Sequence, residues 1–136
     1  MSQEALISEC LCQPTWAVIG FSRHSHKYGH IIYQDLIRVG VKVYPVNLRG
    51  GSYGGSRIYQ SVRDLPEKPG VANIVTPPRE TEAVIRECAE AGIKRVWMQP
   101  GAESSSAIRF CQEAGLKAIY SACVMVEFQS SAVQRG

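Results

Sequence analysis

A polar, cationic loop follows a short apolar run near the N-terminus. The run Trp16–Ile19 ends at Gly20, and the loop Ser22–Tyr28 carries one arginine, two histidines and one lysine. Backbone N–H groups at such a turn and cationic side chains both bind anions, phosphates above all. A strand, a glycine turn and a helix starting near Gly29 are how nucleotide-binding α/β folds begin, so these residues predict a phosphate site.

The glycine pattern departs from the G-x-G-x-x-G of dinucleotide sites. Ser22 stands in place of the second glycine, and the next glycine is Gly29. A glycine after a buried strand also serves as a plain turn, so the cationic loop supports the phosphate interpretation more than the glycine does. The side chains expected to hold an anion are those of Arg23, His24, His26 and Lys27.

Polar residues also follow the second and third predicted strands. Asn47 and Arg49 come after the strand Val41–Val46, at a place where a site for NAD usually has Asp or Glu. Asparagine can hydrogen-bond a ribose and arginine can bind a phosphate, which argues against NAD and allows NADP or coenzyme A. The turn Thr76–Pro78 starts a helix and offers a rigid wall that could flank an adenine.

The sequence shows no catalytic side chain whose partner lies at a recognisable spacing. His24, His26 and His30 lie in or beside the first loop, where solvation or phosphate contact is expected before catalysis. Glu103 and Glu127 are single carboxylates, and no nucleophile is paired with a base. The sequence therefore predicts binding without chemistry.

The overall composition excludes several further classes of function. The 136 residues fit one domain, and the formal charge of +3 is too small and scattered to indicate nucleic-acid binding. Apolar runs are shorter than the ~20 residues of a membrane helix, and the start lacks the basic region of a secretion signal. The five cysteines include no C-x-x-C and no zinc-ligand spacing, so reduced thiols in a cytoplasm and no metal site are expected.

Strand and helix patterns alternate along the chain. The predicted strands are 15–20, 41–46, 71–75, 95–98 and 117–120, and the predicted helices are 3–12, 29–40, 78–91 and 103–114. This alternation predicts an α/β fold, a Rossmann-like doubly wound sheet of about five mostly parallel strands with helices on both faces. Ligands of such sheets bind at the carboxyl ends of the strands.

Three segments have less regular patterns. Arg49–Ser56 contains four glycines and is expected to be a flexible loop, either a spacer or a close backbone approach to a ligand. Cys123–Phe128 is expected to be a short strand or a closing turn. The expected divisions are an N-terminal helix in 1–14 that packs on the domain or a partner, a main domain over 15–128, and a polar, frayed tail over 129–136.

Seven short segments carry a resemblance to a known family. They are Ala17–Arg23, Val43–Asn47, Tyr59–Pro66, Val71–Pro78, Ala91–Gln99, Ala114–Leu116 and Cys123–Glu127. With them the chain resembles small stand-alone CoA-binding proteins, whose fold looks like the N-terminal CoA-binding domain of the succinyl-CoA synthetase alpha subunit. The resemblance covers about residues 15–128.

The resemblance implies a Rossmann-like domain that binds coenzyme A. Carried onto this sequence, it places Gly20, Phe21, Ser22 and Arg23 at the pyrophosphate and Asn47 and Arg49 at the ribose phosphate. It places Thr76, Pro77 and Pro78 beside the adenine or pantetheine, and Met98 and Gln99 along the cofactor path. The chain departs from the family at Phe21, commonly alanine, at Leu48-Arg49, often Pro-Lys, and at Ser121-Ala122, often Asp-Arg.

Three functions are consistent with these patterns. The first is a cytoplasmic module that binds coenzyme A or an acyl-CoA, contacts neither nucleic acid nor membrane, and can form a homodimer. The second is an enzyme, either a small NADP-linked reductase or one subunit of an acyl-CoA ligase. The third is a regulatory interaction protein with a vestigial nucleotide pocket. The synthetase's second domain, with its phosphorylated histidine, has no counterpart in these residues, so ligation by this chain alone is not expected.

Overall fold

A five-stranded parallel sheet forms the centre of the molecule in the computed structural model, which describes residues 2–135. The strands are β1 (Thr15–Ile19), β2 (Lys42–Val46), β3 (Gly51–Tyr53), β4 (Ser56–Ile58), β5 (Val71–Ile74), β6 (Arg95–Met98) and β7 (Lys117–Ile119). The main sheet has the order β2-β1-β5-β6-β7 with every neighbouring pair parallel. The predicted Rossmann-like α/β class is confirmed.

Helices cover both faces of this sheet. They are α1 (Gln3–Leu11), α2 (Tyr28–Arg38), α3 (Pro78–Glu90), α4 (Ser105–Ala114) and α5 (Val124–Arg135), with a 3-10 turn at Val62–Asp64. Because strand side chains alternate between faces, Trp16 and Val18 of β1 pack with α1, α2 and α5, whereas Ala17 and Ile19 pack with α3 and α4. None of the helices in residues 2–135 is long and apolar enough to cross a membrane.

Two tryptophans organise the face that carries α5. Trp16 and Trp97 are fully buried with ring centroids 6.0 Å apart, and Phe128 lies 5.7 Å from Trp16. Each indole N–H has a backbone acceptor, Gln13 for Trp16 and Ala122 for Trp97, at 2.9 and 2.8 Å. The Trp97 contact anchors the loop that leads into α5.

The prediction of a closing strand or turn at Cys123–Phe128 is wrong. Helix α5 begins at Val124, within this segment, and continues to Arg135 through most of the predicted tail; Gly136 lies outside the described residues. Val124 is fully buried, whereas Val126 is 54% exposed. In a strand these two residues would share one face, so their different burial against the tryptophans indicates a helix. Tertiary packing therefore selected helix for a short apolar run that also fits a strand.

The glycine-rich segment is a hairpin rather than the predicted flexible loop. Strands β3 and β4 pair antiparallel through a two-residue turn at Gly54-Gly55, both with positive φ, which the tight hairpin turn requires. The hairpin docks by Tyr53, whose ring lies 5.0 Å from His30 and 5.5 Å from Phe21. The glycines thus supply turn geometry for an element packed on the first loop.

Candidate functional site

A cavity of about 470 Å³ opens at the carboxyl ends of β1, β2 and β5. The chain leaves β1 toward β2 on one side and later returns to β5 on the other, so this edge is the topological switch point of the sheet. Open α/β sheets bind ligands at such a point. The strand order therefore places the cavity where a ligand site is expected.

The cavity wall is mainly apolar. Its apolar side chains come from strand ends, from the 3-10 turn and from α3: Ile19, Val46, Leu48, Val62, Val75, Pro77, Ala83 and Val84. Of the predicted site residues, five line it: Gly20, Asn47, Arg49, Thr76 and Pro77. The other seven lie outside its lining: Phe21, Ser22, Arg23, Lys27, Pro78, Met98 and Gln99.

Gly20 closes the end of β1. Its φ is +103°, and a Cβ there would lie 2.8 Å from the carbonyl oxygen of Val75. The N–H groups of Gly20 and Phe21 both donate to the carbonyl of Val46, at 3.0 and 3.1 Å. These two N–H groups, expected at a phosphate, are thus engaged in joining β1 to β2.

Gly29 explains the imperfect glycine pattern. It lies in the first turn of α2, and a Cβ there would come within 2.2 Å of the Gly20 carbonyl oxygen. It therefore serves the role of the third glycine of the dinucleotide pattern, which permits close helix–strand packing. Lys27, the N-cap of α2, forms no side-chain cap, and the His30 N–H donates to the Lys27 carbonyl at 3.1 Å, so the N–H groups of Tyr28 and Gly29 are the ones open to an anion.

The side chain of Phe21 and the backbone of Ser22 belong to the structural core of the first loop. Phe21 is fully buried, with its ring 4.7 Å from Tyr33 and 5.8 Å from His30. The His30 Nδ1 lies 2.9 Å from the Ser22 carbonyl oxygen. A bulky Phe21 in place of the family's alanine is thus accommodated by an aromatic cluster, on the side away from the cavity.

Two cations of the first loop are exposed. Arg23 lies against the hairpin, with its guanidinium 3.0 Å from where a Cβ of Gly51 would be. Lys27 stands at the start of α2. Both are outside the cavity lining but belong to the loop that leads into the uncapped helix.

Asn47 clamps the first loop to the end of β2. Its Nδ2 donates to the carbonyl of Phe21 at 2.6 Å, and its Oδ1 accepts from the N–H of Arg49 at 2.8 Å. The side chain expected at a ribose thus shapes the cavity wall. Arg49 is exposed and brings a cation to the rim.

The opposite wall carries two carboxylates that the sequence predictions missed. Glu80 and Glu87 of α3 line the cavity together with Ser61, whose hydroxyl donates to Glu87. Positions 80, 83, 84 and 87 share one face of a helix. Their spacing after Pro78 could therefore have predicted that both glutamates lie on the same wall as Ala83 and Val84. The cavity is therefore positive at β2 and negative at α3.

Gln99 lies at the start of α5 and not in the cavity. Its Oε1 accepts from the N–H of Val124 at 2.9 Å, and its Nε2 donates to the Tyr28 hydroxyl at 3.2 Å. Burial, together with a hydrogen bond to Cys123, raises the pKa of Tyr28 to about 12. Met98 is fully buried in the core beneath α3 and α4.

The fold, the switch-point cavity and the glycine-dependent first turn define a Rossmann-like ligand-binding domain. A family model described as a CoA binding domain matches residues 14–129. The chain belongs to this family of CoA binding domains.

Known ligases and several solved structures are similar to this chain. Subunit alpha of ADP-forming acetate–CoA ligase I from Pyrococcus furiosus is 36% identical over 102 residues, which are 71% of this chain and 21% of that subunit. The chain thus spans about a fifth of that relative. An ADP-forming acetate–CoA ligase from Methanocaldococcus jannaschii is 33% identical over 78 residues, 57% of this chain and 11% of that protein.

The similar structures include short chains as well as a ligase. A conserved hypothetical protein from Pyrococcus furiosus is 42% identical with a TM-score of 0.80, covering 83% of this chain and 97% of that one. The apo form of a dinucleotide-forming acetyl-coenzyme A synthetase from Ca. Korarchaeum cryptofilum is 27% identical with a TM-score of 0.69. That match covers 81% of this chain and 26% of the synthetase.

Proposed function

We propose that this chain binds coenzyme A or an acyl-CoA and catalyses no reaction of its own. The cavity at the carboxyl ends of β1, β2 and β5 is the observation that carries the proposal. Its volume is within the ~300–1,000 Å³ of ordinary ligand pockets, and its apolar wall suits a flat base. Membership of the CoA binding family supports the identity of the ligand.

The charges around the cavity support one orientation. Arg49 offers a cation at the β2 rim, while Glu80 and Glu87 repel anions at the α3 wall. The 3′-phosphate of coenzyme A is therefore assigned to Arg49, because guanidinium and phosphate form paired hydrogen bonds. The pyrophosphate is assigned to the uncapped start of α2, with Arg23 and Lys27 nearby in sequence.

Calorimetric titration of the protein with coenzyme A, dephospho-CoA, NADP and NAD tests this assignment. We expect selective binding of coenzyme A, with dephospho-CoA weaker. Arg49→Glu should lower the affinity for coenzyme A by about tenfold or more, since charge-assisted hydrogen bonds contribute about 1.5–3 kcal/mol. The affinity for dephospho-CoA, which lacks the 3′-phosphate, should fall much less. Arg109→Glu, an equal charge change at an exposed residue outside the cavity lining, is the matched control.

Each other outcome of the titration has a definite meaning. If Arg49→Glu weakens the binding of coenzyme A and of dephospho-CoA equally, the 3′-phosphate does not bind at Arg49, although coenzyme A remains the ligand. Binding of NADP in preference to coenzyme A would replace the proposal with the reductase alternative. No binding of any of the four would reject the nucleotide site and favour an interaction protein with a vestigial pocket.

A ligase-subunit role is the second candidate, because of the similarity to acetate–CoA ligase alpha subunits. In that role the chain would supply coenzyme A to a reaction completed by other polypeptides. Co-purification with the products of neighbouring genes, followed by an assay for acyl-CoA formation from acid, coenzyme A and ATP, tests it. If the complexes bind coenzyme A but form no thioester, the ligase-subunit role is rejected and the proposal of a binding module remains.

The proposal includes a cytoplasmic location and a homodimer. Five unpaired cysteines support a reducing compartment.

Three apolar side chains on or just after α2 are more than 40% exposed, namely Ile31, Ile37 and Val39. Their exposure supports a contact between two copies of the chain at this helix. Light scattering after gel filtration distinguishes dimer from monomer, and Ile31→Lys should shift a dimer toward monomer.

A further inference from the structure

The side of the cavity formed by α3 offers a ligand hydrogen-bond acceptors. Glu87 of α3 lines it together with Ser61, beside the apolar side chains of Ala83 and Val84. Ser61 holds the carboxylate in place: its Oγ accepts from the N–H of Arg63 at 3.1 Å and donates its only proton to Glu87. A carboxylate has about four lone-pair sites, so Glu87 can accept from a ligand as well.

Thr76, which follows β5, has the same preference for a donor. The Thr81 hydroxyl lies 2.6 Å from the carbonyl oxygen of Ala102, which can only accept, so the Thr81 proton is used there. The Thr76 hydroxyl, 2.8 Å from that of Thr81, therefore donates its own proton to Thr81. Toward the cavity, Thr76 and Ser61 thus have lone pairs to offer and no proton.

Donor side chains lie on the other side of the cavity. Arg49 is at the β2 rim, and the Gln60 amide is directed to the Leu48 carbonyl at 3.1 Å. A ligand group placed against α3 must therefore donate hydrogen bonds, because an acceptor there would leave both groups unpaired. The apolar side chains of the cavity suit a flat ring that carries this donor.

Purine bases differ in this respect at carbon 6. Adenine carries an amino group there, which donates, whereas hypoxanthine and guanine carry a carbonyl oxygen, which accepts. An amino group at the α3 wall would pair with Glu87. A carbonyl oxygen in the same place would bring two acceptors together and would be repelled by the carboxylate.

We propose that Glu87, positioned by Ser61, is a specificity-determining residue that accepts a hydrogen bond from the 6-amino group of the ligand's base. The cavity then takes 6-aminopurine nucleotides and rejects 6-oxopurine ones. This inference rests on the proposed binding of coenzyme A and adds which edge of its base faces α3. Arg49, on the opposite rim, stays available for the 3′-phosphate.

Calorimetric titration with coenzyme A and with its deaminated analogue, in which hypoxanthine replaces adenine, tests the inference. We expect the unsubstituted protein to bind coenzyme A about tenfold or more tightly than the analogue. Glu87→Gln keeps the size of the side chain but adds an amide donor, so the preference should fall to about threefold or less, chiefly through tighter binding of the analogue. Glu82→Gln makes the same charge change on α3 outside the cavity lining and should keep the full preference.

A second variant tests the positioning by Ser61. Ser61→Ala keeps the carboxylate but removes its hydrogen bond, so the preference should fall, though less than in Glu87→Gln. Equal affinity of the unsubstituted protein for both compounds, an unchanged preference in Glu87→Gln, or an equal loss in Glu82→Gln would overturn the role of Glu87 while coenzyme A remains the ligand. Binding of neither compound by the unsubstituted protein would reject the proposed function itself.

Discussion

Gly29 decides how closely α2 approaches the central strand. The position that a Cβ would take lies 2.2 Å from a backbone oxygen of Gly20, which cannot rotate away as a side chain can. Alanine is a better helix former than glycine by up to about 1 kcal/mol, so helix propensity alone favours replacement. The contact with Gly20, and not propensity, therefore determines the residue at this position.

Gly29→Ala should destabilise the protein by about 2 kcal/mol or more, because the backbone must move to relieve the overlap. Urea denaturation midpoints at a common m-value measure the change. Gly115→Ala is the control, since its Cβ would meet nothing within 4 Å and only its φ of +71° is strained. Its expected cost is about 1 kcal/mol, and an equal cost at both positions would contradict the contact argument.

The β3–β4 hairpin is an element that cannot be stable by itself. It has two short strands; in residues 2–135 its end joins the main sheet at the bridge between Val46 and Tyr59, and Ile58 is buried in the core. Tyr53 attaches it to the first loop through Phe21 and His30, and its hydroxyl lies 3.3 Å from His30 Nε2. The hairpin therefore stabilises the loop next to the cavity through one aromatic side chain.

Tyr53→Ala should release the hairpin while the main sheet stays folded. Loss of the ring contacts is expected to cost about 2 kcal/mol, or roughly thirtyfold in amide exchange rate over Gly51–Ile58. Hydrogen-exchange mass spectrometry measures this. Tyr53→Phe keeps the ring and should leave exchange nearly unchanged, whereas slow exchange in both variants would show that another contact holds the hairpin.

Across the whole molecule, α1 is tied to the sheet by charge as well as by packing. Glu9 contacts Arg95 at the start of β6 and Lys117 at the start of β7, which lie 86 and 108 residues away in sequence. Hydrogen bonds from Arg95 and Lys117 lower the pKa of Glu9. Leu6 and Cys10 add buried apolar contacts on the same helix.

Glu9 should make stability depend on pH in one direction. Because its pKa is lower in the folded than in the unfolded chain, its contribution is present above the unfolded-state pKa and is lost as pH falls through the folded-state pKa. Glu9→Gln should therefore lower the melting temperature at pH 7 but have little effect at pH 3. Thermal denaturation at both values measures this, with exposed Glu113→Gln as the control. An equal loss at pH 3 would indicate a packing role instead.

Much of the fold was readable from local pattern. Short β-branched and apolar runs bounded by glycine or proline marked all five strands of the main sheet, and Pro78 marked the start of α3 as its N1 residue. The candidate site was only partly readable. Gly20, Arg49 and Thr76 line the cavity, whereas Phe21 and Gln99 do not, because following a strand does not determine the direction of a side chain; their contacts with a ligand stay predictions.

The sequence by itself determined the alternation of elements, hence the parallel sheet and the edge at which the cavity lies. These features follow from local hydrophobic period and from the handedness of strand–helix–strand connections. Only the tertiary structure decided that 124–135 is a helix, that the glycine-rich segment is a hairpin, and that Cys123, Tyr28 and Gln99 meet. These depend on contacts between residues far apart in sequence, which no local pattern encodes.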